Sequence, residues 1–449
     1  MTYGAQGRQL ERTLGGISET MAYAANGDTL TQTDGSGALT RLGYDSHGNL
    51  NSITDALNNV TRRTYDTLSR EIRTTDALGR IHTTRYDAQS RPIESVDPIG
   101  STRTEYLDGT RQQVDTDELG RIRRRTFDRM ERLVLDQKPE LVDEIYRYNL
   151  SGDQIQTVDG RGVVRNYQYD SDGASLSACE AVITTSQPGC QRHTLRTLDA
   201  ESHPLLEVMS SKLPPADDIV LSTTTRTFNH ALYLTTSEEV SGLALTQTQY
   251  DPEGIPEKTI DPLGRETLIT HDDRRRKLRT IEPLNRITNW LYDRADRPIE
   301  MARHGYSEKT AYLANGWIES QTDAEGKVQS FTYDAVGNRL TIRDRRNHLT
   351  AQVFDARNRL TKIIEPLDRE TVYTYDAVGN RLTETRPKTN STDAQTITHR
   401  YDFLNRLIDS RDAFGVIETK THDENSNIVT QTDGLGRITT TCLLYTSDA

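Results

Sequence analysis

The sequence predicts an all-β fold of tandem β-hairpins coiled into a hollow shell, and three observations predict it. Tyr-Asp pairs recur at a fixed spacing: Tyr44-Asp45, Tyr65-Asp66 and Tyr86-Asp87 stand 21 residues apart, and a period of that size marks a repeat architecture. Gly or Asn returns about every ten residues, too often for helices of ordinary length. Only 33% of the 449 residues are hydrophobic and the mean hydropathy is -0.73, which suits a sheet one layer thick better than compact domains with large cores.

The aromatic anchor falls at Tyr3, Tyr23, Tyr44, Tyr65, Tyr86, Tyr106, Phe127, Tyr148 and Tyr169, each 20 or 21 residues after the last. The phase then loosens, with a degenerate anchor at Leu198. It resumes at Phe228 and continues through Tyr250, His271, Tyr292, Tyr312, Tyr333, Phe354, Tyr375, Tyr401 and His422. The one long step in this second run, to Tyr401, contains the polar insert 387–392. The chain therefore divides into a first repeat block over residues 1–174, an irregular repeat with insertions over 175–227, a second block over 228–441, and a tail of 442–449.

Each unit reads as two short strands and two turns. Segments such as Thr61-Arg62-Arg63-Thr64-Tyr65 and Thr371-Val372-Tyr373-Thr374-Tyr375 mix Thr, Val and aromatics in a half-exposed strand pattern. The turn Asp76-Ala77-Leu78-Gly79 has Asp first, where its carboxylate accepts backbone N–H groups, and Gly fourth, where a positive φ costs least. Asp261 with Gly264 and Asp433 with Gly436 repeat it. The fourth place is also filled by Asn58, Asn285, Asn347 and Asp368, residues that tolerate a left-handed backbone. Pro98, Pro262, Pro283 and Pro366 stand second, where a fixed φ fits.

Roughly forty strands at about 4.8 Å each make a sheet nearly 190 Å wide, and open twisted sheets rarely exceed about ten to fifteen strands without curling. The sheet must coil. About eight strands already fill a barrel with side chains, so a coil of this length is hollow. Its thin core is expected to come from tyrosine ladders, Tyr44, Tyr65 and Tyr86 packing ring on ring with their hydroxyls in water.

Disorder is the competing reading of a chain with 27% charged residues, and 20 tyrosines on a strict period argue against it. A net charge of -12 speaks against a nucleic-acid partner, because tracking phosphates needs a basic excess. No apolar run of about 18 residues offers a membrane span. Three cysteines do not make a disulfide scaffold; Cys179 and Cys190, flanking a Pro-Gly insert, form a local disulfide or remain two thiols. The ten histidines have no metal-ligand spacing, with His271 and His422 standing in for Tyr. The recurring Asp residues are turn formers. No phosphate loop, nucleophile elbow or other catalytic grouping stands out, so no enzyme, cofactor or metal is expected.

The recurring Tyr-Asp-Ala-Val-Gly-Asn-Arg-Leu of residues 333–340 and 375–382, with Asp76-Ala77-Leu78-Gly79-Arg80, resembles the YD-repeat core of Rhs proteins, related to the shells of Tc toxins and teneurins. The resemblance implies a β-cage that encloses a C-terminal polymorphic cargo, often a toxin, in a secreted or surface-located bacterial protein. Partners it implies are that cargo domain, which this chain lacks, and secretion-system components. The family's autoproteolytic segment is not recognisable: Asp97-Pro98 and Asp261-Pro262 sit in ordinary repeat turns. A rival expectation is a surface module whose exposed tyrosines and Asp/Asn turns bind carbohydrate or protein. Residues 442–449 match neither half of the unit and resemble a translated transposase adapter, so the natural repeat is expected to run to about Thr441, with the chain beginning inside a repeat at Tyr3.

Overall fold

The computed structural model describes residues 1–4, 7–139, 141–160, 162–169, 175–182, 192–198, 204–211, 219–229, 234–240, 243–387, 394–423 and 425–441. They form 41 strands in one sheet, from Thr2–Tyr3 to Ile438–Thr440. Each strand pairs antiparallel with the next along the chain, so the topology is an unbroken meander. Among the described residues no pairing joins the first strand to the last. The sheet does not close.

The repeat produces two kinds of strand end. Tyr65 ends the strand Val60–Tyr65 and pairs with Glu71, while its neighbour Thr64 pairs with Arg73. Ile72 is thereby bulged out, which bends and twists the hairpin. The same shift accompanies Tyr44, Tyr86, Tyr148, Tyr333, Tyr375 and Tyr401. At the opposite end Thr75 pairs with Ile81 across the turn 76–80 without a bulge. The regular units among the described residues thus place a Tyr-Asp turn on one rim and an Asp-x-x-Gly turn on the other.

The fourth place of the Asp-x-x-Gly turns is left-handed as the sequence predicts, with φ of 81° at Gly79, 75° at Gly264, 77° at Gly436, 66° at Asn58 and 69° at Asn347. Two variants depart from the pattern. Asp97-Pro98-Ile99-Gly100 closes one residue early, the Asp97 N–H donating to the Gly100 carbonyl at 3.0 Å, so Gly100 needs no positive φ. Where Glu replaces the first Asp, at Glu282 and Glu365, the side chain does not cap its own turn. There both residues of Leu284-Asn285 and of Leu367-Asp368 take positive φ, between 54° and 65°.

The backbone of the irregular stretch continues the same meander in the strands Ser175–Val182, Arg192–Leu198, Pro204–Ser211 and Ile219–Asn229. The core is as thin as the composition implies: among the described residues the buried apolar side chains are Val114, Val163 and Phe331.

The sheet coils on itself. Turns 239 to 284 residues apart are hydrogen-bonded to each other. The turn holding Arg80 meets the one holding Asp355, twenty-five strands on, and the turn holding Asp55 meets Asn315, twenty-three strands on. A revolution of about 24 strands spaced about 4.8 Å apart is about 115 Å around and about 37 Å across. The chain makes somewhat less than two such revolutions.

Candidate functional site

The chemistry of this molecule is concentrated at the hairpin rims. In the turn 76–80 the Asp76 Oδ1 accepts the backbone N–H groups of Leu78 and Arg80, both at 2.9 Å, and Oδ2 accepts the Arg80 Nε at 2.7 Å. The Tyr-Asp turns use the same clasp. Asp66 holds Leu68, Arg70 and the Arg70 Nε, and Asp45 holds His47, Asn49 and the Asn49 side-chain amide. The Arg70 side chain and the turn N–H groups hold the Asp66 carboxyl below the usual carboxylate range. For Asp261 and Asp433 the leading cause of the same lowering is the backbone N–H of Arg265 or Arg437.

A second device joins neighbouring hairpins. The Tyr65 hydroxyl donates to the Leu50 carbonyl at 2.7 Å, and Leu50 is the residue paired with Tyr44 beside the preceding bulge. Tyr44, Tyr86, Tyr148, Tyr169, Tyr333 and Tyr375 repeat the bond across 15 residues of sequence. Tyr292 does so as well. Tyr401 preserves it over 20 residues, reaching the Arg381 carbonyl opposite Tyr375, so the insert before Tyr401 leaves the link unchanged. Tyr250 occupies the same place before its bulge.

These bonds correct the expectation of ring-on-ring ladders with wet hydroxyls. A bulge interrupts the ladder, and the next tyrosine reaches the carbonyl beside it. In several units an arginine lies between successive anchors. The Arg70 guanidinium sits 4.8 Å from the centre of the Tyr86 ring while donating to the Asp87 carbonyl at 3.1 Å. Arg132 over Tyr148, Arg276 over Tyr292 and Arg359 over Tyr375 do the same. Each cation–π contact of this kind contributes on the order of 0.5–1 kcal/mol.

The third device is the seam between revolutions, where Asp-x-x-Gly turns of the first block meet Tyr-Asp turns of the second. Arg80 donates to the Asp355 carbonyl at 3.3 Å and to the Asn358 side chain at 2.8 Å. Arg121 reaches the Phe403 carbonyl at 2.8 Å and Asn405 at 3.0 Å. In the other direction Arg357 bonds Asp97 at 2.5 Å and Glu118 at 2.9 Å, and Arg274 bonds the Leu14 carbonyl at 2.9 Å and Glu19 at 3.3 Å. Burial would raise the Asp97 carboxyl, but the Arg357 side chain and the turn N–H groups outweigh it and bring it below its usual range. Gly35 is fixed here by close approach: a Cβ would collide with the Arg294 carbonyl oxygen of the second block.

The sequence-predicted anchors and turn residues therefore lie along two rims and converge on no single cleft. What sequence reasoning missed is the residue four places after the Asp, which clasps the carboxylate and, where it is arginine, covers the next tyrosine from a Tyr-Asp turn, as Arg70 does, or reaches across the seam from an Asp-x-x-Gly turn, as Arg80 does. Its signal was present, since Arg, Asn or His recurs there, as in Arg70, Arg80, Asn338 and His348. Cys179 lies in the strand Ser175–Val182, but its side chain and Cys190 fall outside the described residues, as do residues 442–449. His271 and His422 stand at strand ends before a bulge like the tyrosines they replace, and burial lowers the His422 imidazole below its ordinary pKa.

A family model described as the RHS repeat matches residues 23–60, 44–81, 312–348 and 354–392. The chain contains RHS repeats over these residues. Its architecture is also found in solved structures. One is the crystal structure of TcdB2-TccC3-Cdc42, with a TM-score of 0.53 at 13% identity over 93% of this chain and 26% of that one. Another is the Photorhabdus luminescens Tc holotoxin pore, with a TM-score of 0.52 at 13% identity over 94% of this chain and 26% of that one. At such identity the likeness establishes the fold, a Tc-toxin-type β-shell, and the RHS-repeat chain spans about a quarter of the length of the structures it matches. No curated protein matches the sequence.

Proposed function

We infer that this RHS-repeat chain is a non-catalytic wall segment of a β-shell that encloses a C-terminal cargo domain and helps deliver it. The observation that carries the reading is the seam, which locks one revolution of sheet onto the next and leaves a lumen about 37 Å across between opposing backbones. The resemblance to Rhs proteins supplies the cargo, a toxin-like domain beyond this chain, and a secreted or surface location in a bacterium, with secretion-system components as further partners.

The carbohydrate-binding alternative is less well supported. A tyrosine that grips a sugar offers a bare ring face and a free hydroxyl. Here the hydroxyls of Tyr65, Tyr86 and Tyr375 are bonded to main chain, and Arg70 and Arg359 lie over the Tyr86 and Tyr375 rings.

The test is protection. A small protease-labile domain fused after Thr441 is digested in the parent chain and in a Gly35→Ala, Arg357→Ala variant whose seam is opened. Slower digestion in the parent is the expected result. Equal digestion in both, with the variant's opened seam verified by hydrogen exchange at residues 97–121, overturns enclosure.

A further inference from the structure

The flat of the wall, away from both rims, is charged differently in the two blocks. In strands that end at an anchor, residues on the anchor's face are half-buried and those on the opposite face exposed, as in Glu144–Tyr148 and Ala394–Tyr401. Side chains converge on the inside of a tightly curved wall and spread on its outside, so the exposed face is the outer one.

In the first block this outer face is rich in arginine. Arg41, Arg62, Arg103 and Arg124 each stand three residues before an anchor, and Arg73, Arg85 and Arg147 share their face; all seven are exposed. Before Tyr86 and Tyr148 that place holds Thr83 and Ile145, but Arg73 pairs with Thr83 and Arg147 follows two residues after Ile145. Arg85 is ion-paired with Glu94 at 2.8 Å. Among the described residues the other six have neither an ion pair nor a hydrogen bond. From the strand Leu39–Tyr44 to the strand Glu144–Tyr148 the face carries these seven guanidiniums against two carboxylates, Glu94 and Glu105, in a chain whose net charge is -12.

The second block is the internal control. On its corresponding face Lys258, Lys309, Lys362 and Arg411 are ion-paired with Glu266, Glu300, Glu370 and Asp409. Arg343 bonds the Asn347 side chain, and Arg279 and Arg400 stand alone. Most cations of that block thus meet a partner within the sheet, and those of the first block do not.

We propose that the arginine face of the first block docks an extended, acidic segment of a partner protein, whose Glu and Asp side chains take the part that Glu266, Glu300, Glu370 and Asp409 play in the second block. Arginine suits the role, because its planar guanidinium donates two parallel hydrogen bonds to one carboxylate. Nucleic acid fits less well: the side chains among the arginines are Thr, Ser, Gln and aliphatic, so bases find no aromatic ring to stack on. A flat anionic bilayer fails on shape. The eleven strands from Leu39–Tyr44 to Glu144–Tyr148 turn through nearly half a revolution, and a plane meets only part of such a strip at once. An extended chain follows the bend.

Fluorescence anisotropy of a labelled poly-L-glutamate peptide, titrated with the full chain, tests this. Saturable binding that weakens as salt rises is expected. An Arg62→Gln, Arg103→Gln, Arg124→Gln variant should bind about tenfold more weakly, while an Arg279→Gln, Arg400→Gln variant should bind like the parent. Lysine at the same three first-block positions keeps the charge and should retain more binding than glutamine, which separates lost recognition from lost folding; far-UV circular dichroism checks the fold of each variant. No binding by the parent, undiminished binding by the first glutamine variant, or an equal loss in the lysine or second-block variant overturns the proposal. Tighter binding of oligothymidylate, polygalacturonate or vesicles of phosphatidylcholine and phosphatidylserine overturns it too, and assigns the face to nucleic acid, an acidic glycan or a membrane.

Discussion

Asn58 and Gly79 hold the same place in successive turns with φ of 66° and 81°, although one has a side chain and the other none. The position selects a backbone conformation, and the space around Gly79 is open to 4 Å. Gly79→Asn should therefore be tolerated. Gly79→Val, whose branched side chain disfavours a left-handed backbone, should cost about 1–3 kcal/mol. Hydrogen exchange of the strands Glu71–Thr75 and Ile81–Tyr86 is the appropriate measurement, since repeat sheets open locally. Equal protection in the two variants would sink the account of the turn. This much was legible in the sequence, because Asp and Gly announce their roles by type. The tyrosine hydroxyl was not legible: its acceptor is a carbonyl beside a bulge 15 residues upstream, and a bulge appears only once strand register is known.

At the scale of the hairpin, both rims rest on ionised aspartates. Asp66 and Asp128 lie below the ordinary carboxylate range chiefly through Arg70 and Arg132. In Asp97, Asp355 and Asp402 burial works the other way, but arginine and backbone donors outweigh it. A carboxyl depressed in the folded state lends stability that is fully present above its unfolded pKa and disappears as pH falls through the folded value. The seam should hold at about pH 5 and loosen below about pH 4, where unfolded carboxylates begin to protonate. Solution scattering across that range should record an increase in maximum dimension. Opening on the alkaline side, with none in acid, would contradict the assignment. The partners in this seam were invisible to sequence reasoning. Arg80 and Arg121 have the same local motif as Arg265 and Arg437, and what separates them is which revolution lies across from them.

For the whole molecule, the coil was foreseeable from strand number alone, while its circumference was not. About 41 strands laid flat would extend about 200 Å; wound into revolutions about 37 Å across they occupy far less. Scattering from the native chain at neutral pH should give a maximum dimension well short of the flat value, and a dimension approaching it would refute the coil. On the proposed role as a shell wall, the width of the coil would limit what it encloses. A compact domain of about 100 residues has a radius of gyration near 13 Å, so a wall of this curvature, lined with side chains, would admit small or unfolded cargo and exclude a larger folded domain.

The strand faces, by contrast, are interchangeable. The residue before the anchor and its partner across the strand are Thr332 with Thr341, Thr374 with Thr383 and Thr421 with Thr430, hydroxyl to hydroxyl. At the same place Arg85 and Glu94 form an ion pair, and the rims on either side are unaltered. Tyr, Asp and the clasping Arg or Asn maintain the lattice from the edges, which leaves the flat of the wall free to vary. A lineage carrying such a scaffold could recolour its surfaces, acidic, basic or neutral, by point substitution while the architecture is inherited intact.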